Sequence, residues 1–234
     1  MKKKVALFIF CLAVLLLASL ALLASNRTGI VLSQDGRQMI ATQAPSHVTP
    51  AIEDDAKLVT ISGNLSTYEY ATFFCCLGYT IAGPDSKLGF TSWVAVPFTP
   101  SKDMNVKKVE VAVGYYTASV PLTLSVNEDS GGLPGNAITS WNVKIPYPYG
   151  DCCTLVSASS KTGIPVTSGT QYWLVVGTGS ENTSFFGGWA DSSTDMRAHP
   201  FAGYCKTTGN QCGNNNGKWA AADTILPAYA VLGQ

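Results

Sequence analysis

From Lys57 onward, apolar residues recur at every second position in short runs. Val109, Val111 and Val113 alternate with Lys108, Glu110 and Ala112. Leu122, Leu124 and Val126 alternate with Thr123 and Ser125, and Trp141, Val143 and Ile145 with Ser140, Asn142 and Lys144. A period of two turns one face of a strand to a core and the other to water. Tyr172–Val176 is apolar on both faces and reads as a central, covered strand. Trp93–Val96 and Ala228–Leu232 read as two more. Turn chemistry separates the runs at Asp129-Ser130-Gly131-Gly132, Pro134-Gly135-Asn136, Thr162-Gly163, Ser168-Gly169 and Asn214-Asn215-Asn216-Gly217. The pattern predicts an all-β domain over residues 57–234, an antiparallel β-sandwich with jelly-roll-like character.

The N-terminal end has a different pattern. Lys2, Lys3 and Lys4 precede an uncharged apolar run, Val5–Ala24, and the chain turns polar at Ser25-Asn26-Arg27. A basic start, a hydrophobic helix and a small-residue exit make an export signal. The run is 20 residues, enough to span a bilayer, and Leu22 sits where a cleavage site wants a small residue. Residues 1–25 are therefore a signal peptide or an N-terminal membrane anchor, with cleavage slightly favoured. Either way the body of the chain is extracytoplasmic, and the membrane is a partner only through residues 5–24 if they are retained. Residues 26–56 read as a linker, although Ile30–Leu32 and Met39–Ala41 are short enough and apolar enough to form strands.

Composition narrows the function. Charged residues are 13% of the chain, against about a quarter in ordinary domains. Without the three leading lysines, twelve basic residues face fifteen acidic ones. A weakly acidic chain with no basic patch is not built for nucleic acid.

Six cysteines follow the apolar run: Cys75, Cys76, Cys152, Cys153, Cys205 and Cys212. An even number in an exported chain favours disulfides. No C-x-x-C pair occurs, and His47 and His199 lie far from the cysteines, so no zinc site is expected. Cys205 and Cys212 bracket a turn at Gly209-Asn210 and are expected to pair. The doublets Cys75-Cys76 and Cys152-Cys153 either cross-link to each other or close on themselves.

Candidate chemistry is sparse. Glu69, Glu110, Glu128, Asp151, Asp191 and Asp195 are scattered acids, none in a pattern specific to catalysis. Asp191 and Asp195 flank serines and a threonine, and Asp151 adjoins a glycine; such loops hydrate a carboxylate and keep it charged. The oxygen-rich stretches Asn127–Ser130 and Asp191–Asp195 suit calcium chemically but match no calcium motif, so turn capping is the simpler reading. No cofactor is expected. Among the aromatics, Trp141 and Trp173 lie on strands and read as core. Trp189, within Gly187-Gly188-Trp189-Ala190-Asp191, and Tyr147 and Tyr149, within Tyr147-Pro148-Tyr149, read as loop residues and candidates for a ligand contact.

These pieces, in order, resemble the choice-of-anchor R domain, a module of exported bacterial proteins. The resemblance rests on Asn64-Leu65, Cys75-Cys76, Val109–Gly114, Gly131–Gly135, Tyr149–Cys153, Gly169–Leu174, the Trp189 loop and Ala230–Gly233. It implies an extracytoplasmic β-sandwich without catalytic residues. Members often carry a C-terminal sorting signal. This chain stops at Gln234 with no hydrophobic tail, so release or N-terminal anchoring is expected. The function expected is a non-enzymatic surface or secreted module, binding or structural, with glycan or extracellular matrix as partner. The alternative is a jelly-roll glycan-active hydrolase using a carboxylate pair.

Overall fold

The computed structural model describes residues 29–32, 38–41, 58–65, 73–117, 121–146, 148–149, 155–180, 183–193 and 197–234. For 29–32, 38–41 and 73–76 the description is of the backbone alone. The N-terminal apolar run, Glu69, Tyr147, Asp151, Cys152, Cys153 and Asp195 lie outside the described residues, as do the side chains of Cys75 and Cys76.

The described chain is almost entirely strand. In order these are β1 (Gly29–Leu32), β2 (Gln38–Ala41), β3 (Val59–Gly63), β4 (Phe73–Ala82), β5 (Thr91–Phe98), β6 (Met104–Tyr115) and β7 (Leu122–Asp129). They continue as β8 (Pro134–Val143), β9 (Leu155–Val166), β10 (Tyr172–Gly177), β11 (Phe186–Ser192), β12 (His199–Lys206), β13 (Lys218–Thr224) and β14 (Tyr229–Gly233). Every pairing between them is antiparallel.

One group of strands runs β3-β14-β6-β9 and another β8-β7-β10-β5-β12-β13. Strands β4 and β11 join them: β11 pairs with β4 and with the last residues of β6, and β4 meets β5 at Ala82↔Ser92. Side chains from both groups share one buried cluster, which gives the molecule its sandwich-like character. Val109, Val111 and Val113 from one group, and Leu122, Leu124 and Val126 from the other, are all buried in it. Each such side chain contributes about 1.5–3 kcal/mol by leaving water.

Strand β10 is covered on both sides, as its sequence predicts. Tyr172, Leu174 and Val176 face the main core; Trp173 and Val175 join a smaller cluster with Ala95 and Ala202 on the opposite face. That outer cluster is lidded by the half-buried Leu133 and Trp219.

Three expectations change. Pro134-Gly135-Asn136 is not a turn but the start of β8; the reversal lies one step earlier, where the Ser130 N–H donates to the Leu133 carbonyl. Proline fits there because, among the described strands, β8 pairs only with β7 and needs no outward N–H. Thr162-Gly163 does not end a strand but sits in a bulge within β9, between the pairs Lys108↔Ser159 and Val106↔Ile164. Within the expected linker, β1 and β2 form a hairpin, and Met39 of β2 pairs with Tyr79 of β4, so residues 29–32 and 38–41 belong to the sheet.

Candidate functional site

The hydrogen-bond ladder of the second strand group sets three aromatic rings side by side. Val94, Val96 and Phe98 of β5 point into the core, so Trp93 lies on the outer face with Ala95. In the β5–β12 register Trp93 stands opposite Tyr204, and in the β12–β13 register Tyr204 stands opposite Trp219. The rings follow the backbone. Trp93 stacks on Tyr204 with centroids 4.8 Å apart, and Tyr204 meets Trp219 at 5.5 Å. All three are half-buried: Trp93 lies between Gly177 and Tyr204, and Tyr204 lies between Trp93 and Trp219.

Two devices fix this row. The Trp93 indole N–H donates to the Thr178 hydroxyl at 3.0 Å, and its ring lies over Gly177, where a Cβ would come within 2.9 Å of the indole. The other two rings ride on the β12–β13 hairpin, which a Cys205–Cys212 disulfide closes with a Cα–Cα distance of 5.5 Å. Beyond the disulfide, the Asn216 side chain accepts from the Thr207 N–H and donates to the Thr207 carbonyl. The predicted disulfide is thus present, and it braces the aromatic row.

A cavity of about 90 Å³ lies on the other side of this sheet from the row, where Ser92, Val94 and Phe201 alternate with the outward Trp93 and Ala202. Phe90, Val94 and Phe201 supply apolar surface; Thr80, Ser92 and Asn215 supply polar groups. Among the described residues no carboxylate, amine, guanidinium or imidazole lines it.

The residues singled out from sequence are placed elsewhere. Trp189 is not a loop residue: it lies on β11, fully buried, and its indole N–H donates to the Ala228 carbonyl at 2.8 Å. It packs the core and is closed to a surface ligand. Tyr149 is half-buried, its ring against Tyr116 at 5.0 Å and across Gly188, away from the Trp93 row. Glu110 pairs with Lys108 at 2.9 Å. Asp129 accepts from the Gly132 N–H, the Gln171 amide and the Trp173 indole. Burial pushes its carboxyl up, but these bonds, led by Gly132, outweigh that and hold it below the usual carboxylate range. The Asn127–Ser130 stretch is therefore occupied with turn capping and with anchoring Trp173.

Asp191 departs most from expectation. It is not a hydrated loop acid but part of β11, 0% exposed. The segment before β14 covers it: Asp191 bridges Pro227, the Ala228 N–H donates to the Ala190 carbonyl, and the Ser192 N–H donates to the Leu226 carbonyl. Neither carboxyl oxygen has a hydrogen-bond partner among the described residues, and burial raises its pKa well above the ordinary value. Among the described residues no group of three or more His, Cys, Asp or Glu is placed to hold a metal ion.

The row Trp93–Tyr204–Trp219 was missed because the sequence shows alternation within a strand but not which residue of a distant strand lies opposite. Comparison with protein-family models, curated proteins and solved structures returns no match, so the geometry of this face carries the functional argument.

Proposed function

We propose that the protein is an exported, non-enzymatic β-sandwich module, jelly-roll-like and of the choice-of-anchor R type, that binds glycan on an outer sheet face. The observation that carries this is the cross-strand row Trp93–Tyr204–Trp219. A pyranose ring has an apolar C–H face that packs on aromatic surface, while its hydroxyls stay at the wet rim. Partly exposed rings held rigid by a sheet lose little freedom on binding, which favours affinity. The N-terminal basic and apolar segments support export, released or anchored.

The hydrolase alternative has less support. General acid catalysis needs a raised carboxyl within reach of substrate. Asp191 has the raised pKa but is sealed from solvent, and Asp129 is reachable but held ionised.

The test is a glycan array probed with the full chain and with Trp219→Ala. Retention on at least one polysaccharide is expected, falling tenfold or more in the variant with its melting temperature within a few degrees of wild type. Equal retention by the two proteins would remove the row from the binding site.

A further inference from the structure

We infer that Asn216-Gly217 is a latent deamidation site, held closed by the Cys205–Cys212 disulfide and opened when that disulfide is lost. The chemistry is a covalent modification and stands apart from the glycan reading.

Asparagine followed by glycine occurs once in the chain, at Asn216-Gly217. Glycine has no Cβ to obstruct its own nitrogen. In an unconstrained chain that nitrogen, on losing its proton, attacks the carbonyl carbon of the asparagine side chain. An N–C bond forms, the side-chain nitrogen leaves as ammonia, and a five-membered succinimide remains. Water then opens the ring at one of its two carbonyls. The products are aspartate, with the backbone as before, and isoaspartate, with the backbone rerouted through the side chain. No oxidant or reductant is consumed.

Exposure admits this reaction and geometry withholds it. Both residues are exposed, and nothing lies within 4 Å of where a Cβ on Gly217 would stand. Yet every reacting group is engaged. The Asn216 carboxamide oxygen accepts from the Thr207 N–H at 2.8 Å, and its nitrogen donates to the Thr207 carbonyl at 2.9 Å. The attacking nitrogen is engaged too: the Gly217 N–H donates to the Cys205 carbonyl at 2.7 Å. Ring closure needs the Gly217 nitrogen to eclipse the Asn216 Cβ. At a ψ of 119° it is turned away. Reaction therefore requires these bonds to break and the backbone to rotate.

The disulfide is what holds this clasp. The β12–β13 register ends at Tyr204↔Trp219, so the clasp lies beyond the ladder. Thr207 sits inside the ring that the sulfurs close, Cys205 is one end of it, and Cys212 gives Cys205 a short covalent path to Asn216 and Gly217. Losing the bridge frees the loop to sample the conformation that cyclises. The product cannot return. An aspartate at this position offers no donor to the Thr207 carbonyl and sets an anionic oxygen against it. A transient loss of the disulfide thus becomes a permanent change in the hairpin that carries Tyr204 and Trp219.

The test follows conversion of amide to acid at Asn216 by peptide mapping and mass spectrometry, in full chain held in mild detergent at pH 8. Three samples are compared: oxidised wild type, a Cys205→Ser, Cys212→Ser double variant, and wild type reduced and unfolded in urea. Oxidised wild type is expected to convert at least tenfold more slowly than the unfolded chain. The double variant is expected to convert at least fivefold faster than oxidised wild type while keeping its far-ultraviolet strand spectrum, because this hairpin contributes little to the main core. An oxidised rate equal to the unfolded rate would overturn the clasp, and that comparison needs no variant. A folded double variant as slow as oxidised wild type would overturn the control by the disulfide. A double variant without the strand spectrum would overturn the local character of the opening.

Discussion

Replacing Asp191 with asparagine should stabilise the protein by an amount that grows with pH. The side chain is wholly buried and its carboxyl oxygens are unpartnered among the described residues. Burial raises its folded-state pKa well above the ordinary value, while the unfolded chain returns to about 3.9. The folded protein therefore holds this proton more tightly than the unfolded chain does. Stability is greatest below pH about 3.9, falls as pH rises toward the folded-state value, and levels off above it. Between those two values the loss is about 1.4 kcal/mol per pH unit. Asparagine cannot ionise, so the variant lacks this slope. It still buries an unsatisfied polar group, a cost of about 1–3 kcal/mol that the protonated acid also carries. The two proteins should thus be close in stability at pH 4 and diverge steadily above it, with asparagine the more stable. Urea unfolding followed by tryptophan fluorescence at each pH unit from 4 to 8 measures the difference directly, because the other titrating groups are common to both. Parallel stability curves across that range would mean that Asp191 is solvated or paired in solution, and the burial argument would fail.

Two further outcomes follow from the site. Converting Cys205 and Cys212 together to serine should cost about 2–3 kcal/mol, the chain-entropy value for so short a loop, visible as a lower melting temperature that reductant no longer changes. Gly177→Ala should push the Trp93 ring off its seat, since the new Cβ would sit 2.9 Å from it; the near-ultraviolet circular dichroism of the Trp93–Tyr204 stack should weaken and glycan retention fall, and an unchanged spectrum would refute the packing described.

Legibility in the sequence followed the range of the interaction. The valines of β6 and the leucines of β7 were readable because period two is written locally. Cys205–Cys212 was readable for the same reason, two cysteines flanking a turn. Trp189 was misplaced because Gly187-Gly188 looks like a loop. Those glycines serve close packing instead: a Cβ at Gly188 would strike the Tyr149 ring at 2.7 Å, and one at Gly187 would strike the Gly114 carbonyl. Asp191 was misread because its serine-rich surroundings are polar, while the segment that buries it, Leu226–Ala228, lies far along the chain. The aromatic row needed the registers of two strand pairs, and register between distant strands is set by the whole fold.

The stapled hairpin also has a meaning for variation. Strands β12 and β13 carry two of the three rings, and their connection supplies Cys212 and Asn215 to the cavity wall. Into the main core the same hairpin sends little beyond Phe201 and Ala222. On the proposed reading, binding and folding therefore draw on different side chains of this hairpin. Exchanges at Trp219, half-buried and outside the main core, would then alter the proposed face while the valine and leucine core is left intact.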